Sequence, residues 1–331
     1  MSESARKILL DVDTGIDDAL AIIYLLAKPE VDVVAAGSVH GNIDAHRAAL
    51  NTLRVMELCG YDHIPVAQGA AEPLAQPLST AWMVHASDEL GNLDLPLPAG
   101  IPTTERAADQ ILRLSLESPG EIDLLAVGPL TNVALAISQD SRVLTRFRSV
   151  VIMGGSGPAS SAAKSSTASL AMDANIDHDP EAADIVFSAA GEITMVGTNL
   201  EAFLELSERG LNQLEAATHA HSRFAWQVSQ FYLDFQEQSG GRRVAKLWDP
   251  LAAAILLDDS LVESSFDGKV DVVPSERGFR AMWLPDRRDQ GRFDQRPVVR
   301  IVTAADAERF VADFLEMLTT PLPKPMPQSP A

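Results

Sequence analysis

The sequence contains a single cysteine, Cys59, among its 331 residues. One cysteine cannot form an intrachain disulfide, and it excludes a metal site built from several thiolates. The chain also has no run of 18 apolar residues, and its first seven residues lack the features of a secretory signal peptide. We therefore expect no membrane span and a location in the reducing cytoplasm.

Basic residues are also scarce. The chain has 26 Lys and Arg against 46 Asp and Glu, a formal net charge of −20. A nucleic-acid partner requires a Lys/Arg surface, and so does an anionic membrane. Both are therefore excluded as partners. The charge alone does not say whether the acidity serves only solubility or is partly concentrated at a site.

Short runs of Val, Ile and Leu alternate with amphipathic helical patterns along most of the chain. Such alternation predicts a mostly parallel sheet with helices on both faces. The fold class is therefore α/β, with an open, doubly wound, Rossmann-like sheet. The predicted strands are Ile8–Leu10, Val31–Ala36, Ile122–Val127, Val150–Met153 and Ile193–Val196. The predicted helices are Asp17–Ala27, Ala45–Leu58, Thr104–Leu116, Pro180–Phe187 and Ala220–Gln238.

The domain organisation follows from the absence of an internal linker. We expect a single domain over residues 1–319 and a loose tail over 320–331, which has five prolines in twelve residues. Two irregular segments, 76–102 and 154–170, are long enough to be functional lids or disordered loops.

Four aspartates, Asp11, Asp13, Asp17 and Asp18, lie within eight residues where a predicted buried strand meets a helix. The helix dipole explains two of them, since Asp17 and Asp18 fall in a first turn. It does not explain the other two, because neighbouring carboxylates repel unless a proton or cation intervenes. Oxygen ligands of this kind indicate calcium or magnesium. In an open α/β sheet such a site lies at the carboxyl ends of the strands.

Two alternatives for this segment can be compared directly. An EF-hand loop requires glutamate at its twelfth position, which here is Ile22 or Tyr24, so that interpretation fails. A haloacid-dehalogenase-type phosphatase also begins with a strand followed by Asp-x-Asp-x-Thr, as Asp11 to Thr14 does. No convincing later Gly-Asp motif accompanies it, and the phosphatase stays as an alternative.

The segment from Asp11 to Ala19 resembles the signature of the nucleoside hydrolases, the inosine–uridine-preferring family. Five further stretches match the family in the same order, which makes the resemblance specific and extends it over nearly the whole chain. They are His40-Gly-Asn42, Gly128-Pro-Leu-Thr-Asn132, Val151-Ile-Met-Gly-Gly155, Asn175-Ile-Asp-His-Asp-Pro-Glu-Ala182 and Asp249-Pro-Leu-Ala252.

The resemblance implies hydrolysis of the N-glycosidic bond of a ribonucleoside at a site holding one Ca²⁺. It implies Asp13, Asp18, Asp249 and the backbone carbonyl of Thr131 as calcium ligands. Asp13 is also the implied general base on a calcium-bound water, which then attacks the sugar as in an inverting glycosidase. Without the resemblance, Asp249 followed by Pro250 equally predicts a helix N-cap.

The matched ribose positions are Asp17, Asn42, Met153 and Asn175. Asn42 is otherwise read as a turn residue, and Asn175 as a loop residue bonded to its own backbone.

Three departures lie on the side of the sugar's 5′ position. Asp173 replaces a glutamate, Ala174 an aromatic residue and Thr167 an asparagine. We expect plain ribose, with a 5′-modified ribose as the alternative.

Trp248 stands where inosine–uridine-preferring members have a histidine, and tryptophan there resembles the purine-specific, inosine–adenosine–guanosine-preferring branch. The resemblance implies that Trp248 and Trp82 stack on the leaving purine. The alternative is that both indoles only pack. His85 precedes Asp88-Glu-Leu-Gly91, where the family has Asp-Gly-Leu-Gly, and is either at the mouth of the pocket or an exposed loop residue.

We therefore expect a calcium-dependent hydrolase of purine ribonucleosides, active as a homodimer or homotetramer. The alternatives are a hydrolase of pyrimidine or modified nucleosides, a non-catalytic nucleoside- or sugar-binding protein of the same fold, and the phosphatase using Asp11 and Asp13.

Overall fold

A computed structural model describes residues 5–80, 88–156, 173–203, 205–240, 243–275, 278–283 and 295–325 of the chain. The strands in these ranges are β1 (Arg6–Val12), β2 (Val31–Ser38), β3 (Val66–Gln68), β4 (Ile122–Ala126), β5 (Ser149–Met153), β6 (Ile193–Val196), β7 (Glu205–Leu206), β8 (Ala245–Lys246), β9 (Val262–Gly268), β10 (Val270–Ser275), β11 (Gly278–Trp283) and β12 (Val299–Ala305).

The α-helices in the same ranges are α1 (Ile16–Leu26), α2 (Ala45–Leu58), α3 (Ala107–Glu117), α4 (Thr131–Gln139), α5 (Ala174–His178), α6 (Pro180–Ser188), α7 (Glu208–Ala216), α8 (Ala220–Gly240), α9 (Trp248–Leu257) and α10 (Ala307–Thr319). Short 3₁₀ turns cover Val143–Arg146, Thr198–Phe203 and Asp259–Leu261.

Eight of the strands form one sheet in the order β3-β2-β1-β4-β5-β6-β12-β9. All neighbours in it are parallel except β9, which runs antiparallel to β12 at the edge. The strand order changes direction between β1 and β4. In doubly wound sheets this switch point opens a crevice at the carboxyl ends of the strands, where ligands bind. The predicted fold class is confirmed.

Alternate residues of the central strands pack on opposite faces of the sheet, as the period of two requires. Ile8 and Leu10 of β1 belong to one buried cluster, together with residues of α1, α2 and α9. Leu9 belongs to the other, with residues of α4 and α6. The central sheet is therefore covered on both faces. A site can form at the carboxyl ends of its strands, where the crevice lies.

The five predicted strands are confirmed as β1, β2, β4, β5 and β6. The five predicted helices also form, although α3 begins at Ala107 rather than at Thr104. One apolar face of α8 packs inward, with Phe224, Val228 and Tyr232 buried in the cluster beside α1.

The segment after residue 319 was predicted to be loose. Residues 321–325 have no regular structure, but Tyr61 Oη donates to the Pro323 carbonyl at 3.1 Å. Residues 326–331 lie outside the described residues, as does most of the predicted 154–170 loop. Within the described ranges, no helix is long and apolar enough to cross a membrane.

Candidate active site

Three buried aspartates meet at the carboxyl end of the sheet. The loop after β1 carries Asp17 and Asp18 into the first turn of α1, and Asp249 lies in the first turn of α9. One carboxylate oxygen from each of the three lies within 4.8 Å of the other two. The predicted N-cap role of Asp249 is wrong, because Leu247 is the N-cap of α9. Helix capping therefore does not account for this 2 % exposed carboxylate.

Asp18 also organises the loop that leads into its own helix. Its Oδ2 accepts a hydrogen bond from the Gly15 amide at 2.9 Å, and its Oδ1 accepts one from the Asp13 amide at 3.2 Å. These bonds satisfy amide groups near the helix start, which have no partner within the helix. The same carboxylate thus fixes the backbone that carries Asp13.

Asp13 is enclosed by the loops that follow β2 and β4. Its Oδ2 accepts a hydrogen bond from the Asn42 amide at 2.7 Å, whereas its Oδ1 has no hydrogen-bond partner among the described residues. A Cβ at Gly41 would lie 2.1 Å from Oδ2, and one at Gly128 would lie 2.9 Å from Oδ1. Both positions require glycine because the backbone approaches the carboxylate so closely.

The site is strongly acidic, and its buried aspartates raise one another's pKa values. Burial raises the pKa of Asp13 to about 8, and the charges of Asp17 and Glu89 add to this effect. Burial followed by neighbouring aspartate charges also raises the pKa of Asp18 and of Asp249 well above its ordinary value. Carboxylates held together in this way are stabilised by a proton or by a cation.

These residues fit a hard divalent cation. The donors are all oxygen atoms, they are buried, and Asp13 Oδ1 has no described partner. The described triplet consists of Asp17, Asp18 and Asp249, whereas the predicted ligand set had Asp13 in place of Asp17. Asp13 is adjacent through its bond to Asp18, so these four aspartates form one acidic group.

Thr131, whose backbone carbonyl is a predicted ligand, is the first residue of α4 and is fixed by its side chain. Its hydroxyl donates to Asp179 Oδ2 at 2.6 Å and lies 2.9 Å from His40 Nε2. With the hydroxyl proton used on Asp179, Nε2 of His40 is the donor to Thr131. Burial and the nearby His178 lower the pKa of His40 to about 4, which keeps this ring neutral.

His40 and Asp179 are positioning residues that sequence reasoning missed, although both fall within the matched motifs. Their partners are distant in the sequence, so the motif spacing does not reveal the contacts. Asp179 also serves as the N-cap of α6, accepting a hydrogen bond from the Ala182 amide at 3.0 Å.

Asn132 joins the ends of three strands beneath the acidic group. Its Nδ2 donates to Asp11 Oδ1 at 2.7 Å and to the Ser38 carbonyl at 2.8 Å, and its Oδ1 accepts from the Ala70 amide at 2.8 Å. Asp11 is therefore tied to the scaffold, and burial raises its pKa to about 7.

We expect the substitution Asn132→Ala to lower the free energy of unfolding by about 3 kcal/mol, because the buried Asp11 carboxylate, the buried Ser38 carbonyl and the half-buried Ala70 amide lose their hydrogen bonds. Urea denaturation of the chelated protein measures this loss. Asn212→Ala on the exposed side of α7 is the matched control and should change stability by less than about 0.5 kcal/mol. Equal stability of the two variants would contradict the bridging role.

The predicted sugar-binding residues at the end of β5 and after it are joined to one another by hydrogen bonds. Asp173 is the N-cap of α5, and its two oxygens accept hydrogen bonds from the amides of Asn175, Ile176 and Gly155. Nδ2 of Asn175 donates to the Val127 carbonyl at 2.6 Å and to the Met153 carbonyl at 3.2 Å. The Asn175 side chain thus spans the ends of β4 and β5, and the alternative in which it bonds only to its own loop is wrong.

The structure places Trp248 at the start of α9, directly before Asp249, where the indole is half-buried against the core. Asn42 contributes its backbone amide to Asp13, as described above. Trp82, His85 and Thr167 lie outside the described residues. The roles assigned to all these side chains stay predictions.

Comparison with known proteins identifies the family. The sequence model of the family described as inosine-uridine preferring nucleoside hydrolase matches residues 8–312. The chain belongs to this nucleoside hydrolase family, and it is a glycosyl hydrolase. The fold and the acidic group at the carboxyl ends of the strands agree with that assignment.

Among its relatives, the chain is 36 % identical over 253 residues to a probable uridine nucleosidase 1 of Oryza sativa subsp. japonica, covering 76 % of each chain. It is 32 % identical over 261 residues to the pyrimidine-specific ribonucleoside hydrolase RihA of Photobacterium profundum, covering 78 % of this chain and 82 % of that one. A solved plant nucleoside hydrolase, PpNRh1, superposes with a TM-score of 0.88 at 30 % identity, covering 96 % of this chain and 99 % of that one.

Family membership decides between the alternatives of enzyme class. The chain is a nucleoside hydrolase, so the phosphatase and the non-catalytic binding protein are not supported. In agreement with this, Oδ1 of Asp11, the nucleophile that the phosphatase would require, is held by Asn132.

Proposed function

We propose that this nucleoside hydrolase depends on calcium and uses Asp13 as its general base on purine ribonucleosides. The observation that carries the proposal is the clustering of buried carboxylates: one oxygen each of Asp17, Asp18 and Asp249 lies within 4.8 Å of the other two, and the Asp13 amide donates a hydrogen bond to Asp18. A bound Ca²⁺ would neutralise these aspartates and lower the pKa of a water molecule.

The two carboxylate oxygens of Asp13 differ in their hydrogen bonding, and this difference supports its role as the general base. The Asn42 amide holds Oδ2, while Oδ1 has no described partner and is available to accept a proton. In the proposed reaction Asp13 takes a proton from the attacking water as the water adds to the anomeric carbon. The C–N bond between the sugar and the leaving nucleobase breaks, and the sugar passes through an oxocarbenium-like state.

For the sugar we propose contacts from Asp17, Asn42, Asn175 and the Met153 end of β5. The bonds of Asn175 Nδ2 to the Val127 and Met153 carbonyls orient this side chain, which supports a fixed role at the pocket. Asp173 supports the site indirectly, because its two oxygens accept hydrogen bonds from backbone amides. We keep plain ribose as the proposed sugar.

Purine preference rests on Trp248, which directly precedes the acidic residue Asp249. An indole at that point offers a flat surface on which a purine ring stacks favourably. Uridine is the second candidate, and a specific observation favours it: the relatives at 36 % and 32 % identity are named as a uridine nucleosidase and a pyrimidine-specific hydrolase.

A panel of inosine, adenosine, guanosine, uridine and cytidine, assayed for released reducing sugar, tests the preference. We expect kcat/KM for the best purine nucleoside to exceed that for uridine by at least about tenfold. Trp248→Ala should lower purine turnover by about 10- to 100-fold, since stacking on a base contributes about 1–3 kcal/mol.

Trp226→Ala is the matched control, because Trp226 on α8 is also half-buried against the core. It should leave the ratio of purine to uridine turnover unchanged. Cleavage of uridine as fast as inosine would overturn the purine proposal in favour of the second candidate. Absence of sugar release from all five nucleosides would overturn the proposed function itself.

A further inference from the structure

Glu89 is a buried carboxylate that neither the sequence motifs nor the proposed mechanism uses. It lies in the irregular segment between β3 and α3, and it is 0 % exposed. Neither of its carboxylate oxygens has a hydrogen-bond partner among the described residues. Burying such a group without a partner is costly, so its retention requires an explanation.

The backbone at Glu89 carries a second cost. Its φ is 62°, in the left-handed region that favours glycine, and glycine is the residue that the family pattern has in this stretch. The turn is nevertheless held firmly. Asp88 Oδ1 accepts hydrogen bonds from the Leu90 amide at 2.9 Å and from the Asn92 amide at 2.8 Å, and the Leu90 side chain is buried in the core. Strained residues fixed in this way are concentrated at functional sites.

The segment is tied directly to the loop that carries the aspartates. Nδ2 of Asn51 on α2 donates to the Asp88 carbonyl at 2.9 Å and to the Thr14 carbonyl at 3.3 Å. Glu89 is therefore anchored beside the Asp13–Asp18 loop.

The pKa shifts agree with this placement. Burial is the main cause that raises the pKa of Glu89, and the charges of Asp88, Asp18 and Asp17 add to it; the charge of Glu89 in turn adds to the burial that raises the pKa of Asp13. The charge of Arg47 acts in the opposite direction but does not cancel the effect of burial, and the pKa of Glu89 stays at about 8.

We propose that Glu89 is a substrate-binding residue whose carboxylate accepts a hydrogen bond from a hydroxyl of the ribose. Three observations carry the proposal: two unused acceptor oxygens, a strained backbone held in place, and an anchor to the aspartate loop. A nucleoside offers hydroxyl donors that match a group able to accept hydrogen bonds. Glu89 differs in this from Asp173, whose two oxygens already accept hydrogen bonds from backbone amides.

The proposal rests on nucleoside hydrolysis but not on purine preference, so the test uses whichever ribonucleoside the wild-type enzyme cleaves fastest. The 2′-, 3′- and 5′-deoxy forms of that nucleoside are assayed beside it. Glu89→Gly should lower kcat/KM for the ribonucleoside at least about tenfold, because the variant lacks both acceptor oxygens. For the one analogue that lacks the contacted hydroxyl, variant and wild type should agree within about twofold.

Glu89→Gln retains one acceptor oxygen and should lose less than Glu89→Gly. An equal loss on all four substrates would overturn the proposal, since it would mean that Glu89 contacts no sugar hydroxyl. Glu89→Gly places glycine at the left-handed position, so its melting temperature should not fall below that of the wild type. A loss of activity without unfolding is therefore attributable to the missing carboxylate.

Two measurements without turnover complete the test. Calcium titration should give the same affinity for Glu89→Gln and the wild type, and a tenfold weaker affinity would make Glu89 an ion ligand and overturn the proposal. Calorimetric binding of D-ribose in the presence of calcium should be weaker for Glu89→Gly. Equal ribose affinity would also overturn it, and this arm remains decisive if no nucleoside of the panel is cleaved.

Discussion

Replacing Asp13 with asparagine is expected to abolish turnover while the fold persists. A positioned general base contributes about 10²- to 10⁴-fold to the rate, and the substitution also weakens a site that we propose for calcium. We therefore expect kcat to fall by at least about 10³-fold. Asparagine preserves the shape of the side chain, and its Oδ1 can still accept from the Asn42 amide. Steady-state kinetics and the far-ultraviolet circular dichroism spectrum measure the two halves of this prediction.

Stability separates the loss of a base from the loss of the fold. The pKa of Asp13 is raised to about 8, so its charge destabilises the chelated protein above that pH. Asp13→Asn should thus melt at the same temperature as the wild type, or higher, under alkaline conditions with chelator. Asp62→Asn removes the same charge at an exposed position and should retain full activity. Turnover by Asp13→Asn close to that of the wild type would mean that another group takes the proton.

The central strands could be predicted because they are buried on both faces and therefore have continuous apolar runs. Strands β9 and β12 were missed because they lack such continuous apolar runs. β9 has exposed polar residues along the sheet edge, and β12 carries Arg300, whose guanidinium pairs with Asp259, and Thr303, whose hydroxyl bonds to Ser264. In such strands the apolar residues are interrupted.

The acidic group could be predicted only in part. Asp13, Asp17 and Asp18 are neighbours in sequence, so their proximity follows from the motif. The contacts of Asn132 with Asp11 and of His40 with Thr131 join residues 121 and 91 positions apart, and no local period encodes them. Glu89 was missed although it stands where the family pattern has glycine, because that difference alone does not show that the side chain is buried without a partner. Its significance comes from its burial and its backbone angle.

Withdrawal of the divalent cation should make stability fall as the pH rises. Asp11 and Asp173 have pKa values raised to about 7, Asp13 to about 8, and Asp18 and Asp249 are raised well above the ordinary value. A carboxyl group with a higher pKa in the folded state favours folding while it is protonated, and this contribution is lost as the pH rises through the folded-state pKa. The melting temperature of the chelated protein should therefore fall between about pH 5 and pH 9.

Calcium should reverse this trend, because a cation requires deprotonated ligands and neutralises the charges that repel one another. The increase in melting temperature on adding calcium should thus grow with pH, and activity lost in chelator should return with calcium. Asp249→Asn removes one buried charge and should both flatten the pH dependence in chelator and abolish the calcium effect. The exposed-site control Asp62→Asn should do neither. A melting temperature that rises with pH in chelator would mean that the buried aspartates are stabilised as anions by the protein itself, and the case for a cation at this site would fail.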